Sequence, residues 1–287
     1  MKLSEMKQFL AASGVQLTKS LGQNFLHDGN QLRRIVKAAQ LDPADKVLEI
    51  GPGLGPLTEL LIQAAGSVLA IEKDARLVRI LQERFSSALM GASSNSASGL
   101  RLVEDDALEY LRRQPCDWSG WKLVSNLPYT VASPILVELA QSESGPNRMV
   151  ATLQLEVARR LMAGSGDPDY GILTLLVQLD YQPLESFKIP ASCFFPAPQV
   201  DSACVVLVRR SQPLLSSGMR KPFASLVKRS FSQRRKMMAK LLKADWPTAT
   251  VDSAFAALTL SPQVRAEDVS LEQFVTLTRI LHERRDL

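Results

Sequence analysis

Cysteine, histidine and long apolar runs are what this chain of 287 residues has least of. Cys116, Cys193 and Cys204 stand apart without paired spacing, and His27 and His282 are the only histidines. Zinc clusters and disulfide frameworks need such residues at close, repeated spacing, so neither is expected and no metal is assigned. Two isolated histidines also make a Ser-His-Asp triad a poor fit. No run approaches the ~20 apolar residues of a membrane span. The opening stretch MKLSEMKQFLAASG has an acidic Glu5 and no long apolar centre, unlike a secretory signal or an Arg-rich transit peptide. These absences point to a soluble, cytoplasmic protein with no membrane partner. Only 15 Gly and 16 Pro, beside 46 % hydrophobic and 22 % charged residues, exclude collagen and wholesale disorder and leave an ordinary globular composition.

Charge is present but unevenly held. Residues 1–208 carry 19 Lys and Arg against 22 Asp and Glu, a net of −3, whereas residues 209–287 carry 15 against 7, a net of +8, which together give the formal +5. A basic tail on a slightly acidic main domain suggests a polyanionic partner held at the C-terminal end.

From Lys46 to Arg210, short β-branched or Leu-rich runs alternate with amphipathic stretches, the pattern of an α/β domain with a largely parallel sheet. Strands are expected at Lys46–Ile50, Val68–Glu72, Arg101–Glu104, Lys122–Ser125, Met149–Gln154 and Ala203–Val208. Helices are expected at Leu32–Ala39, Leu57–Ala64, Ala75–Ser86, Pro134–Gln141, Val157–Met162 and Ile172–Leu179. Gly91–Gly99, GASSNSASG, reads as a polar surface loop. Beyond Ser211–Gly218 only helical patterns remain, around Phe223–Lys243, Val251–Leu258 and Leu271–Arg285. The division expected is a catalytic domain over residues 1–210 and a small all-helical domain over 219–287.

Chemistry gathers at the ends of the expected strands. Glu49-Ile50-Gly51-Pro52-Gly53-Leu54-Gly55 follows a strand and opens a helix, where the carboxyl edge of a sheet receives a nucleotide. It is not the dinucleotide fingerprint, because Pro56 occupies the place of the third small residue and lacks an N–H for a pyrophosphate. Glu49 beside two phosphates is electrostatically wrong for NAD but tolerable for a cofactor bearing an amine and a sulfonium. Glu72, about 20 residues on, is placed to accept from two ribose hydroxyls, and Asp106, after the third strand, to accept from an adenine amino group. Either acid alone could equally be a helix cap. The fourth strand ends in Ser125-Asn126-Leu127-Pro128-Tyr129. The lone pair of a base amino group is delocalised into the ring. Acceptors such as the Asn126 side-chain oxygen and the Leu127 or Pro128 carbonyl would localise it and aim it at an electrophilic methyl. Tyr129 would stack on the extruded base.

These motifs resemble the small-subunit ribosomal RNA adenine N6,N6-dimethyltransferases, which use S-adenosylmethionine. The resemblance runs from Leu21 to about Phe274. It includes Gly22-Gln23-Asn24-Phe25-Leu26, Glu49-x-Gly51-x-Gly53, Glu72, Asp106-Ala107 and Asn126-Leu127-Pro128-Tyr129. It continues through Tyr170-Gly171, Phe194-x-Pro196-x-Pro198-x-Val200-Asp201-Ser202-Ala203, Gln233-Arg234-Arg235-Lys236 and Arg265-Ala266-Glu267. It implies a class I S-adenosylmethionine-dependent methyltransferase (Rossmann-like) sheet of seven strands with an antiparallel final hairpin, followed by a helical RNA-binding domain. Asn24 and Leu26 would close over the methionine end of the cofactor, Gly51 and Gly53 would approach it through the backbone, Glu72 would hold its ribose and Asp106 would read its adenine. Asn126 would lie between cofactor and target base, and Phe194 would face that base opposite Tyr129. The implied substrate is a pair of adjacent adenosines near the 3′ end of small-subunit rRNA, within an immature small subunit, methylated by a monomer.

Two departures stand out, Leu155 and Gln199, where the family usually has lysines near the RNA side. In the tail, Arg229, Lys236, Lys240 and Lys243 share a face if Phe223–Lys243 is one helix, but Arg234 then falls on the apolar side, which argues for a buried partner or a break at Ser232, a good N-cap. Three rivals remain: a sister enzyme acting on large-subunit rRNA, a nicotinamide-dependent oxidoreductase, and a ribosome-assembly or transcription factor that kept the fold without catalysis.

Overall fold

The structure, a computed structural model, describes residues 3–12, 24–89, 99–113, 116–233 and 235–283. Gly22, Gln23, Arg234 and residues 91–98 of the polar loop lie outside them. Gly99, expected in that loop, instead opens a strand, its N–H donating to Gly66 O at 3.1 Å.

Among the described residues nine strands form two sheets: β1 Phe25–Leu26, β2 Lys46–Ile50, β3 Ser67–Glu72, β4 Gly99–Glu104, β5 Trp121–Asn126, β6 Arg148–Gln154, β7 Tyr181–Ile189, β8 Phe194–Phe195 and β9 Ser202–Arg209. The main sheet has seven strands in the order β4-β3-β2-β5-β6-β9-β7. Pairings from β4 through β6 are parallel and β9 runs antiparallel to β6. The strand order reverses between β2 and β5, and this is where an open α/β sheet leaves a crevice at its carboxyl edge. Ser125, fully buried, ties the two strands there through Oγ–H to Ile50 O at 2.5 Å. The central strands are mostly apolar on both faces, as burial between two helical layers requires, with Glu49 of β2 a buried exception.

Helices α1 Leu3–Ala12, α2 Gly29–Ala39, α3 Pro56–Ala64, α4 Ala75–Arg84, α5 Ala107–Arg113, α6 Ala132–Gln141 and α7 Leu155–Met162 accompany these strands. Asp28 caps α2 by accepting from Asn30 N and Gln31 N, both at 2.9 Å, and Pro56 opens α3, where its missing N–H costs nothing. No helix among the described residues is long and apolar enough to cross a membrane.

Contacts divide the chain into two compact units, Met1–Ala158 with Pro183–Arg209, and Arg159–Gln182 with Arg210–Leu287. Residues 159–182, placed by sequence in the catalytic domain, thus pack with the C-terminal helices: Tyr170 Oη donates to Val269 O at 2.9 Å and buried Asp180 pairs with Arg220 at 2.5 Å. The second unit holds α8 Ile172–Gln178, α9 Arg220–Ser230, α10 Met238–Leu242, α11 Thr248–Ala257 and α12 Leu271–Glu283.

Of the two alternatives over Phe223–Lys243, one helix or a break at Ser232, the structure has a break: α9 stops at Ser230 and α10 begins at Met238. Ser230 Oγ donates to Leu226 O and Ser232 Oγ to Arg229 O, both at 2.8 Å, so Ser232 finishes one helix rather than starting the next. Phe231 turns into an aromatic cluster, stacked on Phe274 at 6.1 Å and edge-on to Tyr170 at 6.3 Å. Arg229 and Lys243 are consequently committed, Arg229 to Asp245 at 2.9 Å and Lys243 to Asp252 at 2.6 Å.

Candidate functional site

The carboxyl ends of β2, β3, β4 and β5 converge on one cavity of about 310 Å³, within the range of small-molecule sites. Asn24, Gly51, Gly53, Glu72, Asp106, Asn126, Leu127, Pro128 and Tyr129, all singled out in the sequence, line it together. Phe25, Lys73, Leu77 and Val131 also line it and were not singled out for that role.

The glycine turn is shaped by its neighbours. Gly51 and Gly53 have φ of +69° and +63°, which L side chains rarely adopt. A Cβ on Gly51 would stand 2.9 Å from Pro128 Cγ, and one on Gly53 2.6 Å from Phe25 Cε1. The turn therefore packs against both the Asn24–Leu26 segment and the Asn126–Tyr129 segment, which gives the three motifs one geometry.

Glu72 is 7 % exposed, and each carboxylate oxygen already has a partner: Oε2 accepts from Gly53 N at 3.1 Å and Oε1 from Asp74 N at 3.0 Å. Desolvation pushes its pKa up, against the opposing pull of backbone N–H groups of Asp74, Gly53 and Lys73. A carboxylate offers about four acceptor positions, so these N–H groups leave it capacity for a ligand hydroxyl at the cavity it lines. Asp106 caps α5, Oδ1 accepting from Leu108 N at 2.9 Å and Glu109 N at 3.2 Å while Oδ2 pairs with Lys73 Nζ at 2.8 Å. Lys73 holds its carboxyl below the usual carboxylate range. Among the described residues, Lys73 is the single cation lining the cavity, and it is paired with Asp106 rather than left for a pyrophosphate.

Asn126 Nδ2 donates to Asn24 O at 3.0 Å, which fixes the amide and leaves Oδ1 buried without a partner. Buried acceptors almost always find one. An orphaned acceptor at the switch point is the chemistry a bound amino group would complete. Tyr129 Oη shares a 2.6 Å hydrogen bond with Ser202 Oγ on β9, so its ring is pinned at the cavity wall.

Two expectations shift. Phe194 is 2 % exposed and packs in the main core with Leu26, Leu32 and Ile189, not along the cavity. Alternation along β8 sends Phe195 to the other face, toward Phe9, Leu54 and Leu77. Leu26, also 2 % exposed, borders a second cavity of about 20 Å³ rather than the large one.

A sequence profile described as ribosomal RNA adenine dimethylase matches residues 14–283. The chain belongs to the ribosomal RNA adenine dimethylase family. It is 37 % identical over 276 residues to "Ribosomal RNA small subunit methyltransferase A" of Streptomyces coelicolor, covering 96 % of this chain and 94 % of that protein. The protein of the same name from Protochlamydia amoebophila is 35 % identical, with 98 % and 97 % covered. Among solved structures, a dimethyladenosine transferase from Plasmodium falciparum superposes with a TM-score of 0.73 at 25 % identity, covering 88 % of this chain and 95 % of that one. The 23S rRNA methyltransferase ErmE gives 0.67 at 28 % identity, with 90 % and 99 % covered. Ribosomal RNA adenine dimethylases are S-adenosylmethionine-dependent, and the cavity suits that cofactor: the Glu72 carboxylate lines it as an acceptor for hydroxyls, and Lys73, the one cation among its described lining residues, is paired with Asp106.

Proposed function

We propose that this enzyme transfers methyl groups from S-adenosylmethionine to N6 of two adjacent adenosines near the 3′ end of small-subunit rRNA, giving N6,N6-dimethyladenosines. The observation that carries the proposal is the buried, unpartnered Asn126 Oδ1 at the mouth between β2 and β5. The small-subunit assignment draws on the S. coelicolor and P. amoebophila relatives. An immature small subunit is the proposed particle and a cytoplasmic monomer the proposed form.

S-adenosylmethionine, when bound, supplies an electrophilic methyl on a sulfonium sulfur. Glu72 accepts from the ribose hydroxyls, Gly51 and Gly53 offer backbone without side-chain obstruction, Asn24 and Leu26 border the methionine end, and Asp106 orients the adenine. Asn126 Oδ1 and the Leu127 or Pro128 carbonyl accept the two N–H bonds of the target amino group, which turns its lone pair toward the methyl. These contacts strengthen as the nitrogen pyramidalises, so they favour the transition state over the ground state. The nitrogen becomes acidic only after attack, and its proton leaves to solvent without a dedicated base. Tyr129, pinned by Ser202, supplies one aromatic wall, and Phe194 acts as a buttress behind Leu26.

RNA docking falls to the second unit. Lys221, Lys228, Arg235, Lys236 and Lys240 are exposed there, and among the described residues none of the ion pairs of this unit involves them. Labelled methyl transfer from the cofactor to small subunits lacking the modification tests the proposal; label absent from rRNA overturns it. The likeness to the 23S rRNA methyltransferase favours a second reading, large-subunit rRNA as substrate, which large subunits offered in parallel decide.

A further inference from the structure

Behind the glycine turn lies a second cavity of about 20 Å³, large enough for one water. Phe25, Gly51 and Asn126 line both it and the large cavity and so form their common wall. Glu49 lines only the small one. It is 1 % exposed, and its Oε2 has no hydrogen-bond partner. The Thr58 hydroxyl on α3 is near but completes no bond of full geometry, and Asn126, whose Oδ1 is also unpartnered, stands between the two cavities. The charged group facing Glu49 from the next strand is another carboxylate, Glu72. Among the described residues no Lys, Arg or His lines the small cavity, and Lys73, on the large one, is held by Asp106. A carboxyl so placed has no counter-charge among the described residues, and burial then favours the neutral acid.

We propose that Glu49 enters the catalytic cycle as a neutral acid and ionises when the cationic cofactor binds, so that each S-adenosylmethionine captured expels one proton to solvent. The inference rests on the cofactor-site reading given above. The balance is simple: the Glu49 O–H bond breaks, its electron pair stays on the carboxylate, and the proton passes to buffer. The ammonium and sulfonium of the cofactor supply the missing positive charge across the shared wall. Burial pushes Glu49 from its ordinary 4.5 up to about 8, the nearby Thr58 hydroxyl opposing and Glu72 adding to the rise, so the effect spans neutral pH.

Glu49 is thus a positioning residue whose signature is a proton count. Calorimetric titration of the full-length enzyme with S-adenosylmethionine, in two buffers of different ionisation enthalpy, reads it directly. At about pH 6.5 wild type should release close to one proton per cofactor bound, and Glu49→Gln should release fewer by that one proton. The ratio of wild-type to variant affinity should rise about 15-fold between about pH 6.5 and about pH 8, then level off. The α-amine of the cofactor titrates near pH 8 with the opposite sign, and its share is common to both proteins. Equal proton counts in wild type and variant overturn the inference. Should Glu49→Gln fail to fold by circular dichroism, wild type at about pH 6.5 decides alone, where the α-amine stays protonated: zero release overturns the inference. A wild type that binds no S-adenosylmethionine overturns the cofactor-site reading itself.

Discussion

Glu72→Gln separates two duties of one carboxylate. The native side chain accepts from Gly53 N through Oε2 and from Asp74 N through Oε1, and its carboxylate lines the cavity with acceptor capacity left for a hydroxyl. Glutamine keeps a single acceptor oxygen, and its NH₂ faces one of those backbone N–H groups donor to donor. One ribose hydroxyl then loses its acceptor. A hydrogen bond to a charged group is worth about 1.5–3 kcal/mol, so S-adenosylmethionine affinity should fall about 10- to 150-fold. Fold stability should move less, because the orphaned N–H, costing about 1–3 kcal/mol, is offset by relief of the desolvation that raises the Glu72 pKa. Calorimetry measures the affinity and thermal melting by circular dichroism the fold. Unchanged affinity in a variant with an unchanged melt would remove Glu72 from the cofactor site.

Asn126→Ala should slow single-turnover methyl transfer about 100-fold or more while RNA binding stays near normal, since the lost acceptor acts mainly in the transition state; a near-normal rate defeats that role. Tyr129→Leu should slow transfer with cofactor affinity preserved, an aromatic–base stack being worth about 1–3 kcal/mol. Ser202→Ala should slow it in the same direction but less, and normal rates in both variants exclude Tyr129 as a wall. Phe194→Leu, by contrast, should lower the melting temperature, and a stable variant that transfers slowly would restore Phe194 to the base pocket. Lys228→Gln, Lys236→Gln and Lys240→Gln combined should weaken binding to small subunits and flatten its salt dependence by up to about two units. Lys243→Gln alone should not, because Lys243 is spent on Asp252.

The parallel sheet was readable because its central strands are short, largely apolar runs, each followed by a turn, and Gly51-Pro52-Gly53 sits where such a run meets a helix. β7 was invisible as a run: Pro183 interrupts it, and Gln182, Leu184, Glu185 and Ser186 surround few buried positions. The convergence of Asn24, Glu72, Asp106 and Asn126 was legible from their order at strand ends, since the topology of an α/β sheet brings those ends together. What Glu72 and Asp106 bond to was not, because backbone N–H partners leave no trace in residue identity. The choice between Phe194 and Phe195 turns on a strand of two residues paired with Phe25–Leu26, a register set by tertiary contact. The break after Ser230 likewise follows from Phe231 turning into Phe274 and Tyr170, which lie far from it in sequence.

The central claim is tested most directly by mapping the methyl groups. Purified enzyme and labelled S-adenosylmethionine are incubated with small and large ribosomal subunits from cells lacking the modification, and the rRNA is digested to nucleosides and located by primer extension. The account predicts N6,N6-dimethyladenosine at two adjacent adenosines near the 3′ end of small-subunit rRNA and no label in the large subunit. Label confined to large-subunit rRNA, or no transfer to either particle, would contradict it.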